Sequence, residues 1–187
     1  MKTTRILLSV AVLVTIGATF GAISGCRTTG SLSPDVSGDV RKSLDQAGLK
    51  NVSVKDDRDK GIVTLGGDVD NDNAKAQAET LAKSLAGKQV VADEIAVIPP
   101  GQGKDASAVN RDLDAGIEKN LDAVLILNKL HHDVDYAVKN GVVTLSGSVV
   151  SDDVRLQAEQ LATAVPNVHQ VVNDIQITKN RKASSGQ

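Results

Sequence analysis

Twenty-two residues beginning at Gly61, GIVTLGGDVDNDNAKAQAETLA, lie over twenty-two beginning at Gly141, GVVTLSGSVVSDDVRLQAEQLA, without a gap and at an offset of 80 residues. Val63, Thr64, Leu65, Gly67 and Val69 meet Val143, Thr144, Leu145, Gly147 and Val149. Gln77, Ala78, Glu79, Leu81 and Ala82 meet Gln157, Ala158, Glu159, Leu161 and Ala162. The match resumes at Val91 and Ile95, opposite Val171 and Ile175. Self-similarity on one register means a duplicated unit. The chain must therefore fold as two small modules rather than around one large core.

Each copy reads in the same order. A strand alternates apolar and polar residues from Val52 to Asp56, and again from Val134 to Val138. A tight connection follows, and Asn140-Gly141 is a strong hairpin signal because both residues accept positive φ. The next strand runs from Ile62 to Gly66, or from Val142 to Ser146. Gly67 and Gly147 then interrupt the apolar pattern, as a bulge or a close backbone approach requires. Asn71 and Ser151 can cap a helix, with Asp72 and Asp152 in its first turn suiting the helix dipole. Its apolar face reads Ala74, Ala78, Leu81 and Leu85 in one copy, and Val154, Ala158, Leu161 and Val165 in the other. Gly87 and Pro166-Asn167 stop it. A last strand spans Val90 to Val97, or Val168 to Ile177. A helix also precedes each unit: a short one with Val40 and Leu44 inward, stopped at Gly48, and a longer one from about Val109 to Lys129, with Leu113, Ile117, Leu121, Val124 and Leu125 as its apolar face. The fold class is α+β, with two αββαβ domains in tandem, each a small three-stranded sheet packed by two helices.

The N-terminus has a different logic. Lys2 and Arg5 precede an apolar run from Ile6 to Ile16, and small residues follow up to Ile23-Ser24-Gly25-Cys26. A charged start, an apolar middle and a small-residue exit describe a secretory signal over residues 1–25. Cys26 is the only cysteine of the chain, so no intramolecular disulfide can form. Ile-Ser-Gly-Cys resembles the bacterial lipobox, which implies lipidation at Cys26 and a chain that starts there. Losing Lys2 and Arg5 leaves 19 basic against 23 acidic residues. That mildly acidic balance argues against a nucleic-acid partner. Phe20 leaves with the signal, and Tyr136 is then the sole aromatic, so cores are built from Val, Ile, Leu and Ala.

The pattern GxVTLxGxV, a helix with a Gln-Ala-Glu centre and Leu-Ala, then a Val-rich strand resembles the BON domain, and both copies carry it. Gly67 and Gly147 match that family's hallmark glycine. A lipobox followed by two such domains resembles the dual-BON lipoproteins of the bacterial envelope. The resemblance implies no catalysis and no cofactor. It implies binding of phospholipid in support of membrane integrity, with the opening helix of the second domain, Leu121 to Leu130, as the contacting segment. The alternative is a protein-interaction module docking an envelope complex. Arg27, where an Asp would signal inner-membrane retention, favours the outer membrane facing the periplasm if the cell is Gram-negative.

Boundaries follow: signal 1–25, lipidated linker 26–38, first domain 39–98, linker 99–108, second domain 109–179, tail 180–187. The candidate contact residues are Val124, Leu125, Ile126 and Leu127, a continuous apolar block, with Lys129 beside it. The block either meets lipid or a partner, or is buried between its own sheet and the other domain, as helices apolar all round usually are. Lys179, Arg181 and Lys182 form a small basic cluster that either touches anionic headgroups or solubilises the tail. His131 and His132 are adjacent and share no helix or strand face, and no cysteine or acidic ligand set accompanies them, so no metal site is expected. The acidic run Asp56 to Lys60 lacks the glycine and terminal glutamate of an EF-hand loop. No serine has a nucleophile setting and no glycine loop cradles phosphate, so no catalytic residue is expected.

Overall fold

The computed structural model describes residues 32–178. Within them the order helix, strand, strand, helix, strand occurs twice. The first domain comprises α1 (Ser37–Gln46), β1 (Val52–Asp57), β2 (Ile62–Val69), α2 (Asp72–Ala86), β3 (Val90–Asp93) and β4 (Ala96–Val97). The second comprises α3 (Gly103–Leu127), β5 (Val134–Lys139), β6 (Val142–Val149), α4 (Asp152–Thr163), β7 (Gln170–Asn173) and β8 (Gln176–Ile177).

Each sheet has three lanes. β2 lies in the middle, antiparallel to β1 and parallel to β3 and β4. The third lane is one strand interrupted at Glu94 and Ile95: Leu65 pairs with Asp93 and Asp68 with Ala96 on one register. β5, β6, β7 and β8 repeat this arrangement. α2 and α4 start where the sequence indicates. The Asn71 side chain accepts a hydrogen bond from the Ala74 amide at 2.9 Å, and Ser151 accepts one from Val154 at 3.4 Å. The Asn140-Gly141 hairpin has φ of +49° and +77°, as a type I′ turn requires.

The two cores are built alike. Val40, Leu44, Val63, Leu65 and Ile95 are fully covered in the first, as are Leu121, Leu125, Val143 and Leu145 in the second. The buried stripes of α2 and α4 are alanines: Ala78, Ala82 and Ala86, then Ala158 and Ala162. Small residues there let the helix backbone lie close on the sheet. Leu85, placed on that face from the sequence, is 38% exposed, because alanine fills the contact line. Gly67 and Gly147 sit inside β2 and β6 opposite Val52 and Val134. Their φ angles are +93° and +112°, and a Cβ at either would run into the carbonyl oxygen of Asn51 or Asp133.

α3 begins at Gly103, within the stretch expected as linker. Its first turn lacks a side-chain cap, which is why no residue type marks its start. Leu113, expected inward, is 44% exposed; the neighbouring Asp114 instead accepts the Asn140 and Gly141 amides of the β5–β6 turn, and the buried line of α3 starts at Ile117.

The domains pack back to back, each using the sheet face away from its helices. Ala92 and Val172 are buried together with Val142, and Ile62 packs against them. These are two pairs of equivalents at the 80-residue offset. The polar contacts also come in equivalent places. Lys60 pairs with Asp174 at 2.8 Å, while their counterparts Asn140 and Glu94 meet through a 2.7 Å hydrogen bond from the Asn140 side-chain Nδ2 to the Glu94 carbonyl oxygen. Lys139 adds a 3.2 Å ion pair to Glu94. The contact is thus isologous, with an approximate two-fold relation between unequal copies. One element breaks the relation. The Gln170 side chain accepts from the Asp93 amide at 3.0 Å and donates to the Val91 carbonyl oxygen at 2.6 Å. Its carboxamide stands in for a neighbouring strand on the open edge of β3 and satisfies backbone groups that would otherwise invite pairing.

Candidate functional site

The C-terminal end of α3 divides the expected contact block. Leu125 continues the buried line Ile117, Leu121, Leu125 at four-residue spacing and is 0% exposed. It belongs to the core, which corrects its place among the contact residues. Full burial of such a side chain contributes about 1.5–3 kcal/mol. Val124 is half-buried. Ile126 is 49% exposed and Leu127 80% exposed, so the helix end is not enclosed between the sheet and the other domain.

The chain leaves α3 through a Schellman motif. The Leu130 amide donates to the Leu125 carbonyl oxygen at 2.9 Å, and the Lys129 amide to that of Ile126 at 3.0 Å. In the first domain the Leu49 amide bonds Leu44 and the Gly48 amide bonds Asp45 in the same way. Lys129 therefore occupies the place of Gly48. Gly48 takes φ +80° without strain, whereas Lys129 sits at +60°, a conformation costing a side-chain-bearing residue about 1–2 kcal/mol. The second copy tolerates that strain and has a cation two residues after a pair of exposed aliphatic side chains. His131 and His132 follow, both exposed, with ring centroids 3.6 Å apart.

The matched motif also aligns the helices. Residues 39, 42, 43 and 46 of α1 correspond to 120, 123, 124 and 127 of α3. The first domain has Asp39, Lys42, Ser43 and Gln46 there, and the second has Asn120, Ala123, Val124 and Leu127. A hydrophilic stripe in one copy is largely apolar in the other. Sequence reading missed this contrast, because it emerges only once the helix ends are registered. Between that stripe and α4 lies a groove of about 390 Å³.

The other expectations fall as follows. Cys26, Lys179, Arg181 and Lys182 lie outside the described residues. Among the described residues, no three His, Cys, Asp or Glu side chains converge as a metal site would need. No described helix is long and apolar enough to cross a membrane. Asp93 is the one buried charged side chain among the described residues. Burial pushes its carboxyl above the usual range, against the opposing pull of Lys75 and of the Ile95 amide. Its counterpart Asn173 makes the same bond to the Ile175 amide, at 3.2 Å, and also donates to Glu159 at 3.0 Å. The neutral side chain thus suits the site better. The charged form of Asp93 is disfavoured on folding, so its penalty is absent below the ordinary value of 3.8 and grows as pH rises through the elevated folded value. Asp93→Asn is expected to stabilise the protein by about 1 kcal/mol at pH 7. The gain should shrink at pH 3.5, as paired melts at the two pH values will show.

Comparison with known proteins places these features. The family model described as BON domain matches residues 34–99 and 113–179. Osmotically-inducible protein Y of Escherichia coli (strain K12) is 28% identical over 134 residues. The match covers 71% of this chain and 65% of that protein, less than two thirds of the relative's length. Among solved structures, the C-terminal domain of CdsD, the structural protein of the Type III secretion system of Chlamydia trachomatis, is similar at 14% identity and a TM-score of 0.34. That match covers 77% of this chain and 98% of that one. A second CdsD structure gives 14% identity and a TM-score of 0.35, over 79% and 94% of the respective chains. At these TM-scores the likeness carries no argument.

Proposed function

The chain belongs to the BON domain family, carrying the domain twice, and on that premise we propose that it is a non-enzymatic envelope protein that binds phospholipid through the end of α3 in its second domain. The observation that carries this reading is the exposure of Ile126 and Leu127, at 49% and 80%, beside the strained Lys129. Aliphatic side chains enter the hydrocarbon and the ammonium group meets phosphate, which is how an interfacial helix holds a membrane. A cation near an anionic surface contributes about 1 kcal/mol. With one lysine at the tip, apolar burial supplies most of the affinity.

Ile126→Asp places a charge where hydrocarbon is expected, at a half-exposed position. Co-sedimentation of the protein with phosphatidylglycerol vesicles should fall about ten-fold or more, with the circular dichroism melt unchanged. Unchanged co-sedimentation would refute the reading. Retained binding to envelope protein complexes, together with no vesicle response, would favour the protein-docking alternative.

The anchor belongs to the same proposal. Lipid attached at Cys26 holds the chain to a membrane, the outer one facing the periplasm in a Gram-negative cell. Two acyl chains give stable attachment where one is marginal. Cys26→Ala is expected to move the protein from the membrane to the soluble fraction, or to leave it unprocessed. A normally processed, membrane-bound variant would remove lipidation from the account.

A further inference from the structure

We propose that the groove between α3 and α4 of the second domain takes one acyl chain of a membrane phospholipid, entering past Leu127. This rests on the phospholipid reading and goes beyond it, from contact at a helix tip to a built site for a hydrocarbon chain. One wall carries Asn120, Ala123 and Val124, the other Leu161 and Ala164, and Val165 and Pro166 complete the lining. The lining holds no charged side chain, and the volume of about 390 Å³ falls in the range of small-ligand sites. Leu127 lies one turn beyond Ala123 and Val124 on the same helical stripe. The groove therefore runs on into the most exposed of the large hydrophobic side chains described.

Three observations select a lipid chain as the occupant. The first is the internal control that duplication supplies. The corresponding stripe of the first domain is Asp39, Lys42, Ser43 and Gln46, on the same fold and the same helix. The second is charge: the lining is uncharged, and Lys129 comes two residues after the end of the helix that forms one wall, matching an apolar chain joined to an anionic phosphate. The third is reach. Ten residues lie between Cys26 and the start of α1 at Ser37, a span of at most about 40 Å. The second domain is fixed to the first through the Ala92–Val172 contact. A chain anchored at Cys26 thus holds the start of α1 within that distance of the bilayer, and the second domain travels with it.

The test uses the full-length protein reconstituted in phosphatidylethanolamine–phosphatidylglycerol vesicles. The vesicles contain phosphatidylglycerol bearing a diazirine midway along one acyl chain. Photolysis followed by peptide mapping should place the label on residues 120–127 and 161–166. Ala164→Phe, at an exposed position that fills the groove from the α4 side, should lower that labelling about ten-fold while the melt is unchanged. Ala123→Phe, filling it from α3, should do the same and guards against a local folding defect in either variant. Label confined to Ile126 and Leu127, and insensitive to both substitutions, would overturn the groove and leave tip binding standing. Absence of label from the second domain would overturn both readings. Protein–protein crosslinks through the groove in place of lipid label would assign it to a second chain and also overturn the proposal.

Discussion

Gly147→Ala is expected to cost about 3 kcal/mol, since it combines backbone strain with a collision that the surroundings cannot relieve. At φ +112° an L-residue is strained on its own account, and the new methyl group would meet the carbonyl oxygen of Asp133. That oxygen already accepts the Ser148 amide at 3.0 Å, so it is held in place. For an unfolding unit of this size the melting temperature should drop by about 6–12 °C. Gly67→Ala should behave alike through Asn51. Gly116→Ala is the control: it lies within α3 with nothing within 4 Å of the added carbon, and helix propensity alone predicts a gain of up to about 1 kcal/mol. A melt of the Gly147 variant matching that of the control would mean that β6 does not approach β5 as described.

Val172→Asp should separate the two domains. Val172 is 1% exposed, yet it faces the other domain rather than its own helices. An unpaired carboxylate against Ala92 and Val142 is expensive. It becomes tolerable only when the sheets part and water reaches it. The loss of coupling is expected to exceed about 3 kcal/mol. Calorimetry should then show two transitions where the unaltered protein shows one. A single transition at the original temperature would exclude the back-to-back contact.

Much of the fold was legible because it is local. Asn71 and Ser151 cap helices by residue type, Asn140-Gly141 turns by φ preference, and Gly67 and Gly147 announce backbone proximity by lacking a side chain. The site was legible only in part. Four consecutive apolar residues, Val124 to Leu127, carry no helical phase of their own. The phase comes from Ile117 and Leu121, which send Leu125 inward and leave Ile126 and Leu127 outside. Leu85 and Leu113 were misplaced because periodicity names a face without saying how far the neighbouring element extends. The interdomain contact was illegible for a different reason. Ala92 and Val172 alternate correctly as strand residues, but what covers a sheet's second face lies 80 residues away and leaves no local mark.

The exchange of Lys60 with Asp174, against Asn140 and Lys139 with Glu94, has the pattern of a homodimer whose halves have been joined end to end. A true homodimer forms by mass action and dissolves on dilution, whereas a fused pair holds its partner at a fixed effective concentration. Fusion also changes what can evolve. In a homodimer every substitution appears on both halves, so an apolar surface would be doubled along with its tendency to aggregate. In the joined chain the hydrophilic stripe of α1 can persist while α3 loses its counterpart. One half keeps its polar helix face, and the other is free to become greasy.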